Sequence, residues 1–323
     1  MMVPDSGQNE KIKLVFLGTP DFAVPSLEAL VAAGYPIVAV ITQPDRPKGR
    51  GRNTLPSEIK VAALKHSLTV FEPERVRDDE FLREFFKIEA DMAVLVAFGQ
   101  ILPRAMLEAF RYGIVNVHPS LLPKYRGAAP INWALIKGEA ETGVTTMRIG
   151  EGVDSGDILL QEKVPIRPGE DYGSLESRLA QIGARLLLET VEGLVTGCIT
   201  PVSQDHSGAT YAPKINKEDT HISWNSPPQN IVNLVRGLAP APGAYGMLKG
   251  KQLKIFSAAG EPGSDAGSLR VAPGTVLDLT DKGLRVAARD GYVVLGDVQM
   301  EGKKRMDVKD FLRGHKISGE VLA

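Results

Sequence analysis

The stretch Ile114-Val115-Asn116-Val117-His118-Pro119-Ser120-Leu121-Leu122-Pro123-Lys124-Tyr125-Arg126-Gly127-Ala128-Ala129-Pro130 sets the reading of the whole chain. Ile114 and Val115 are β-branched and follow Gly113, which predicts a short buried strand. The strand runs into Asn116 and His118, whose i, i+2 spacing puts both side chains on one face of an extended segment. Pro119 and Pro123 then forbid regular ladder pairing, so the strand opens into a fixed loop. Gly127 to Pro130 supplies small residues where a loop could meet a ligand or the next helix closely. A strand end that presents an amide and an imidazole over a rigid loop is where an open α/β sheet takes its ligand.

Alone, this pair has a plainer reading: a His at a strand end is more often structural than reactive, and an Asn beside it could cap a turn. A second polar cluster shifts the balance, Glu151-Gly152-Val153-Asp154-Ser155-Gly156-Asp157, which follows a β-type run from Gly143 to Ile149. Carboxylates in a Gly-rich turn often bind Ca²⁺, but the spaced oxygen ligands and closing Glu of an EF-hand are missing, so no metal is expected.

Working outward toward the N-terminus, Lys11 to Gly18 reads as a buried strand, Pro25 to Ala33 as a helix stopped at Gly34, and Ile37 to Ile41 as a second strand. Strand, helix and strand within about 30 residues predict a parallel βαβ unit. Its first turn offers only Gly18 and not Gly-x-Gly-x-x-Gly, so a nicotinamide cofactor is not expected. Gln43 to Asn53 carries four basic residues, one acid, two prolines and two glycines, with no apolar residue to pack. It is expected to be an exposed, mobile loop, either merely solvated or a basic arm for phosphates through Arg46, Lys48, Arg50 and Arg52. Helices are expected over Glu58 to Lys65, Asp79 to Ile88 and Arg104 to Phe110, and strands over Leu68 to Phe71 and Met92 to Ala97. After the 114–130 motif, a helix begins at Ile131, Asp157 to Val164 returns as a strand, and Leu175 to Val195 is a long helix.

Composition bounds the rest. The 323 residues suffice for two domains, and 43% hydrophobic with 24% charged residues is ordinary for a globular chain. The net charge of −1 gives no whole-molecule sign of nucleic-acid binding. Cys198 alone excludes an intramolecular disulfide and a Cys-based zinc site, which fits a reducing cytoplasm. Neither an 18-residue apolar run nor an apolar signal core is present, so no membrane association is expected, and Met1 to Glu10 reads as a polar, disordered start.

Pro201 to Pro213 has little apolar content and no period, and reads as a linker. Beyond it come one helix, Pro228 to Leu238, and five short β-type runs: Tyr245 to Leu248, Leu253 to Ser257, Thr275 to Leu279, Leu284 to Ala287 and Tyr292 to Leu295. Together they suggest a small OB-like β-barrel. The domains expected are therefore residues 11–200, a linker 201–213 and a barrel 214–323. Net charge is +4 from Lys214 onward against −5 before it, which favours the second domain as a polyanion surface. Its densest basic patch is Lys303-Lys304-Arg305, equally readable as a solvated turn.

Asn116-x-His118 followed by Ser-Leu-Leu-Pro, with Asp154 downstream, resembles the formyltransferases that use 10-formyltetrahydrofolate. The run His-x-Ser-Leu-Leu-Pro-x-x-Arg-Gly-Ala-Ala-Pro is most similar to the branch acting on methionyl initiator tRNA. The likeness continues in Gly18 to Phe22, Gln43 to Pro47 and Glu141 to Thr145, and covers all but roughly the first ten residues. One departure is Pro119, where some members have Gly. The resemblance implies a Rossmann-like, mostly parallel N-terminal domain with a C-terminal tRNA-binding barrel. The expected chemistry is formyl transfer with 10-formyltetrahydrofolate as donor cosubstrate and no metal, in a cytoplasmic monomer. Asn116 would donate to the oxyanion, His118 would stabilise the same oxygen or relay protons, and Asp154 would help carry the proton between amines. Ser120, Leu121, Leu122 and Pro123, with Phe98 and Gly99, would border the folate. The arginine matching Arg50 contacts tRNA in that family. A formyltransferase for a small amine, such as glycinamide ribonucleotide or an amino sugar nucleotide, shares the catalytic trio and is the rival expectation. A folate- or RNA-binding regulator with an idle site is the rival of another class.

Overall fold

The computed structural model describes residues 11–48, 53–263 and 271–323. The chain divides into two compact units. One comprises Met1–Arg126, Gly143–Lys163 and Ser177–Thr210; the other comprises Gly127–Thr142, Val164–Glu176 and Tyr211–Ala323.

The first half of the chain runs β1 (Leu14–Gly18), α1 (Val24–Ala32), β2 (Ile37–Ile41), β3 (Arg46–Lys48), β4 (Asn53–Leu55), α2 (Glu58–Lys65), β5 (Val70–Phe71), α3 (Asp79–Phe85), β6 (Met92–Val96), α4 (Arg104–Leu107) and β7 (Ile114–His118). It continues through α5 (Pro130–Ile136), β8 (Glu141–Arg148), β9 (Ile158–Pro165) and α6 (Tyr172–Val195). Seven strands form one sheet in the order β5-β2-β1-β6-β7-β8-β9. β1 pairs in parallel with β2 and β6, β7 lies parallel to β6, and β8 turns antiparallel to β7. Continuous apolar runs such as Leu-Val-Phe-Leu in β1 are buried throughout, as a parallel sheet covered on both faces requires. Val15, Leu17, Ile41, Ala93, Phe98, Met106 and Phe110 share one core.

The chain leaves β1 first toward β2 and β5, and later returns to its other side through β6 and β7. The C-terminal ends of β1 and β6 therefore border the switch point at which open α/β sheets bind ligands. Thr19 and Gln43, just past β1 and β2, both donate to the Phe98 carbonyl past β6, at 3.2 and 2.9 Å. The three strand ends are thus tied together.

The 43–53 segment differs from expectation. Its base is a two-stranded antiparallel hairpin, pairing Arg46 with Leu55, Pro47 with Thr54 and Lys48 with Asn53. A two-stranded ribbon tolerates Pro47 because it is all edge. Arg50 and Arg52 lie outside the described residues.

In the second unit, α7 (Pro228–Leu238) packs on α5: Gly237 brings the helices close, and its carbonyl accepts from Asn132 Nδ2 at 2.8 Å. Then follow β10 (Ala244–Leu248), β11 (Lys251–Ile255), β12 (Ala258–Pro262), β13 (Val276–Thr280), β14 (Gly283–Ala287), β15 (Gly291–Leu295), β16 (Asp297–Met300), β17 (Met306–Asp307) and α8 (Val308–Gly314). They form two antiparallel sheets, β10-β11-β16-β17 and β12-β15-β14-β13, over one apolar core. The domain is antiparallel and strand-rich, as expected. What links its sheets is a bent strand pair: β11 runs into β12 as β15 runs into β16, and Ser257 Oγ accepts from Asp297 N at 2.7 Å in the corner. The sequence reading missed β12, β16, β17 and α8. β12, Ala-Ala-Gly-Glu-Pro, has no apolar alternation and ends on a proline at a sheet edge.

Candidate active site

Asn116 and His118 are 6% and 4% exposed and lie on one face of β7, as alternation requires. Strands on both sides fix their backbone: Asn116 sits between Leu95 and Met147, and His118 opposite Thr145. No described residue hydrogen-bonds the Asn116 side-chain amide, and that amide is not sealed from solvent, so its hydrogen-bonding capacity is open to an incoming group.

Two contacts set the His118 ring. Nε2 lies 3.0 Å from the Tyr125 carbonyl, and since a carbonyl only accepts, Nε2 carries the hydrogen. Nδ1 then faces Asp154, whose Oδ2 is 3.7 Å away. That distance suits an ion pair but exceeds a direct hydrogen bond. Nδ1 is therefore the ring atom left to gain or lose a proton. The structure thus brings together all three residues expected to do the chemistry, although Asp154 is 36 residues beyond His118.

The loop between them is stiff. Ser120 donates from Oγ to the Lys124 carbonyl at 2.7 Å, and Thr145 Oγ1 donates to the Ser120 carbonyl at 2.6 Å while accepting from Leu122 N at 3.2 Å. Gln161 Nε2 donates to the Leu122 carbonyl at 2.8 Å. Leu122 is buried, and Leu121 packs so closely on Gly143 that a Cβ there would fall 2.4 Å from Leu121 Cδ2. At the end of β6, the Phe98 side chain belongs to the core and its carbonyl is taken by Thr19 and Gln43, whereas Gly99 is exposed. Ala97, Tyr125 and Asp154 have φ of 49°, 58° and 46°, the left-handed region that costs a side chain about 1–3 kcal/mol. All three border this strand end.

Lys60 in α2 binds Asp45 Oδ2 at 2.8 Å and Glu72 Oε2 at 2.8 Å, pinning the base of the β3–β4 hairpin. Its ammonium holds the Asp45 carboxyl below the usual aspartate range. Arg46 is exposed on that hairpin. Of the second basic cluster, Lys303 and Lys304 are exposed, but Arg305 is committed, with Nη2 2.6 Å from Asp297 Oδ2 and its guanidinium 4.6 Å from the Phe256 ring centre. Among the described residues, no group of His, Cys, Asp or Glu is arranged to hold a metal ion.

Sequence reasoning missed the supporting residues Thr145, Gln161 and Gln204. Thr145 had a signal, since it is a polar residue inside an apolar strand; Gln161 and Gln204 had none.

A mostly parallel sheet with an amide, an imidazole and a carboxylate at one strand end is the frame of a group-transfer enzyme. The chain belongs to the formyl transferase family: the formyl transferase model matches residues 12–191, and the formyl transferase C-terminal domain matches residues 214–316. It is 54% identical, over 97% of its length and 99% of the relative's, to the methionyl-tRNA formyltransferase of Syntrophus aciditrophicus. It is 48% identical to the methionyl-tRNA formyltransferase of Citrifermentans bemidjiense, over 95% and 94% of the two chains. Among solved structures it resembles an N-formyltransferase from Helicobacter canadensis, in complex with folinic acid and dTDP-3-aminofucose. That match has a TM-score of 0.67 at 20% identity and covers 91% of this chain and all of the other.

Proposed function

We infer that this chain transfers the formyl group of 10-formyltetrahydrofolate to the α-amine of methionyl initiator tRNA. One observation carries the reading: similarity to methionyl-tRNA formyltransferases runs through both family domains and nearly the full length of both chains. A small-amine formyltransferase shares this chemistry and, in the Helicobacter canadensis enzyme, much of this fold, but at 20% identity against 54% and 48% for the methionyl-tRNA formyltransferases.

The folate supplies a formyl carbon as electrophile. The site suits such a donor, because the Asn116 amide has no protein partner and is open to an acceptor, and Gly99 at the end of β6 is exposed. During transfer the amine nitrogen bonds to the formyl carbon, that carbon's bond to the folate nitrogen breaks, one proton leaves the amine and one reaches the folate nitrogen. Asn116 donates to the oxygen on which negative charge gathers. His118, its Nε2–H fixed on Tyr125, exchanges a proton at Nδ1 beside Asp154. Neither Ser nor Cys is needed as nucleophile, since direct aminolysis suffices. Ser120 to Pro123 and the Phe98–Gly99 turn border the folate. Arg46, Lys48, Arg50 and Arg52 in the 43–53 segment, and Lys303, Lys304 and Arg305, meet the tRNA. In sequence, residues 11–200 carry the catalytic residues, 201–213 lead from the first unit into the second, and 214–323 carry the tRNA-binding domain of a cytoplasmic monomer. No described helix is long and apolar enough to cross a membrane.

The test is transfer of labelled formyl from 10-formyltetrahydrofolate to charged initiator tRNA, free methionine and amino sugar nucleotides in parallel. Transfer to charged tRNA alone is expected. Equal transfer to free methionine or to a sugar nucleotide would sink the tRNA assignment.

A further inference from the structure

The segment read from sequence as a featureless linker begins as part of the first unit. Val202 bridges Ile158, each amide donating to the other's carbonyl at 2.8 Å. Gln204, only 5% exposed, points back into the unit. Its Nε2 donates to the carbonyls of Asp154 and Gly156, at 2.9 and 2.7 Å. Its Oε1 accepts from Arg126 Nε and Nη2, at 3.1 and 2.6 Å. The Arg126 guanidinium is buried, and Nη2 also reaches His206 Nδ1 at 3.1 Å. Farther along, Thr210 Oγ1 and the Thr210 carbonyl accept from Tyr125 N and Arg126 N, both at 2.9 Å.

These contacts end on both sides of the His118–Asp154 pair. Asp154 is carried by the turn whose carbonyls Gln204 holds. His118 is oriented by the Tyr125 carbonyl, and the amides of Tyr125 and Arg126 are held by Thr210. Asp154 and Tyr125 are also two of the left-handed, non-glycine residues, a conformation that persists only where surrounding contacts over-determine it. Here residues 202–210 supply contacts to both turns, alongside those made by His118.

We propose that residues 202–210 are a strap that sets the His118–Asp154 separation, with Gln204 as its positioning residue. The amide nitrogen of Gln204 fixes the Asp154 turn, and its amide oxygen, through Arg126, registers that turn to the loop that orients His118. The proposal rests on the reading that Asp154 acts with His118 in formyl transfer. Because both turns carry strained backbone, releasing either lets the carboxylate drift from Nδ1. A misplacement of about 1 Å at a reacting centre costs up to roughly 10²-fold in rate.

The test uses the full chain with 10-formyltetrahydrofolate and charged initiator tRNA, and kcat is expressed per folded molecule. Gln204→Met removes both ends of the strut. Gln204→Glu keeps an acceptor for Arg126, now as an ion pair, but sets a carboxylate oxygen against the Asp154 and Gly156 carbonyls. Both variants are expected to lose roughly tenfold or more in kcat with both KM values within about threefold of wild type. In an Asp154→Asn background the same substitutions should cost almost nothing further, because the strap acts through Asp154. A merely structural role would give equal losses in both backgrounds. Such additivity, or wild-type kcat in Gln204→Glu, would overturn the proposal, and the Glu variant alone decides it should the Met variant not fold. Wild-type kcat in Asp154→Asn by itself would instead refute the underlying reading of the site, which keeps the two failures apart.

Discussion

Replacing Asn116 with Ala separates chemistry from scaffolding in this fold. The side chain is 6% exposed, yet no described residue hydrogen-bonds its amide, so truncation forfeits no intramolecular bond. If the amide meets the developing oxyanion, its loss costs about 10²–10³ in kcat, or about 2.7–4 kcal/mol of transition-state stabilisation. Asn132 is the internal control: equally inaccessible, it donates from Nδ2 to the Gly237 carbonyl at 2.8 Å. Asn132→Ala strands that carbonyl, a cost of about 1–3 kcal/mol, and at about 2–4 °C per kcal/mol the melting temperature falls visibly. The two variants should therefore move in opposite columns. Asn116→Ala loses turnover with Tm nearly unchanged, and Asn132→Ala loses Tm with turnover per folded molecule nearly unchanged. Single-turnover formyl transfer and a thermal scan on each protein suffice. Asn116→Ala within about threefold of wild-type kcat would refute the oxyanion assignment. A large Tm loss in that variant would show instead that the amide holds the fold.

Gly143→Ala should perturb the folate side of the site, since its Cβ would fall 2.3 Å from the Glu162 carbonyl and 2.4 Å from Leu121 Cδ2. Overpacking of this kind costs about 1–3 kcal/mol, so a lower Tm and a raised folate KM are expected, and wild-type values of both would contradict the packing argument. Lys60→Met should flatten the pH dependence of stability. Asp45 is held below its usual range, and Lys60 is raised above its usual range by Asp45 and Glu72. Wild type should accordingly keep this contribution between the ordinary Asp and Lys values, losing it as pH falls through the folded Asp45 value or rises through that of Lys60. Denaturation curves with the same pH dependence in both proteins would remove that role. Arg50→Leu should slow formylation of tRNA while leaving folate binding and Tm intact. It should also flatten the salt dependence of tRNA binding by roughly 0.7–0.9 for each phosphate no longer neutralised. Wild-type rates at low and moderate salt would leave Arg50 with no role in tRNA recognition.

What sequence revealed was whatever is local in the chain. β1, β2, β6 and β7 are short apolar runs bounded by Gly or polar residues; β2 and β6 fall within a residue of expectation, while β1 begins three residues later than expected, at Leu14. Asn116 and His118 were legible because alternation alone puts them on one face. The basic hairpin was misjudged as loop because its ladder pairs Arg, Pro and Lys with Leu, Thr and Asn, which carries no hydrophobic alternation. β12 was missed for the same reason. Gln204 was invisible on different grounds: its partners, Arg126 and the carbonyls of Asp154 and Gly156, lie 78, 50 and 48 residues away. No local pattern records a side chain that bonds backbone carbonyls so distant, and a polar segment without periodicity reads as linker.

The polar residues around this strand end fall into two kinds, and hydrogen-bond satisfaction tells them apart. Thr145 is completely buried and uses its hydroxyl fully, donating to the Ser120 carbonyl and accepting from Leu122 N and Gln161 Nε2. Gln204 spends both ends of its amide. Such residues stabilise the loop, because each bond made inside the protein replaces one made to water, and removing one partner strands the other. Asn116 lies in the same strand layer, is nearly as inaccessible, and bonds to nothing described. Its amide is not sealed from solvent and so does not carry the full penalty of a buried, unpaired donor, yet neither packing nor strand propensity favours Asn over Val at that position. Stability therefore supplies no reason for an amide there, whereas an incoming oxygen that gains negative charge does. By the same reasoning Nδ1 of His118 is set apart from Nε2: one ring nitrogen is spent on holding the ring, and the other is kept facing a carboxylate at a distance too long to close without the ring or the turn moving. The strap from 202 to 210 then has a physical purpose, since a pair held apart at 3.7 Å keeps its geometry only while both supporting turns are fixed.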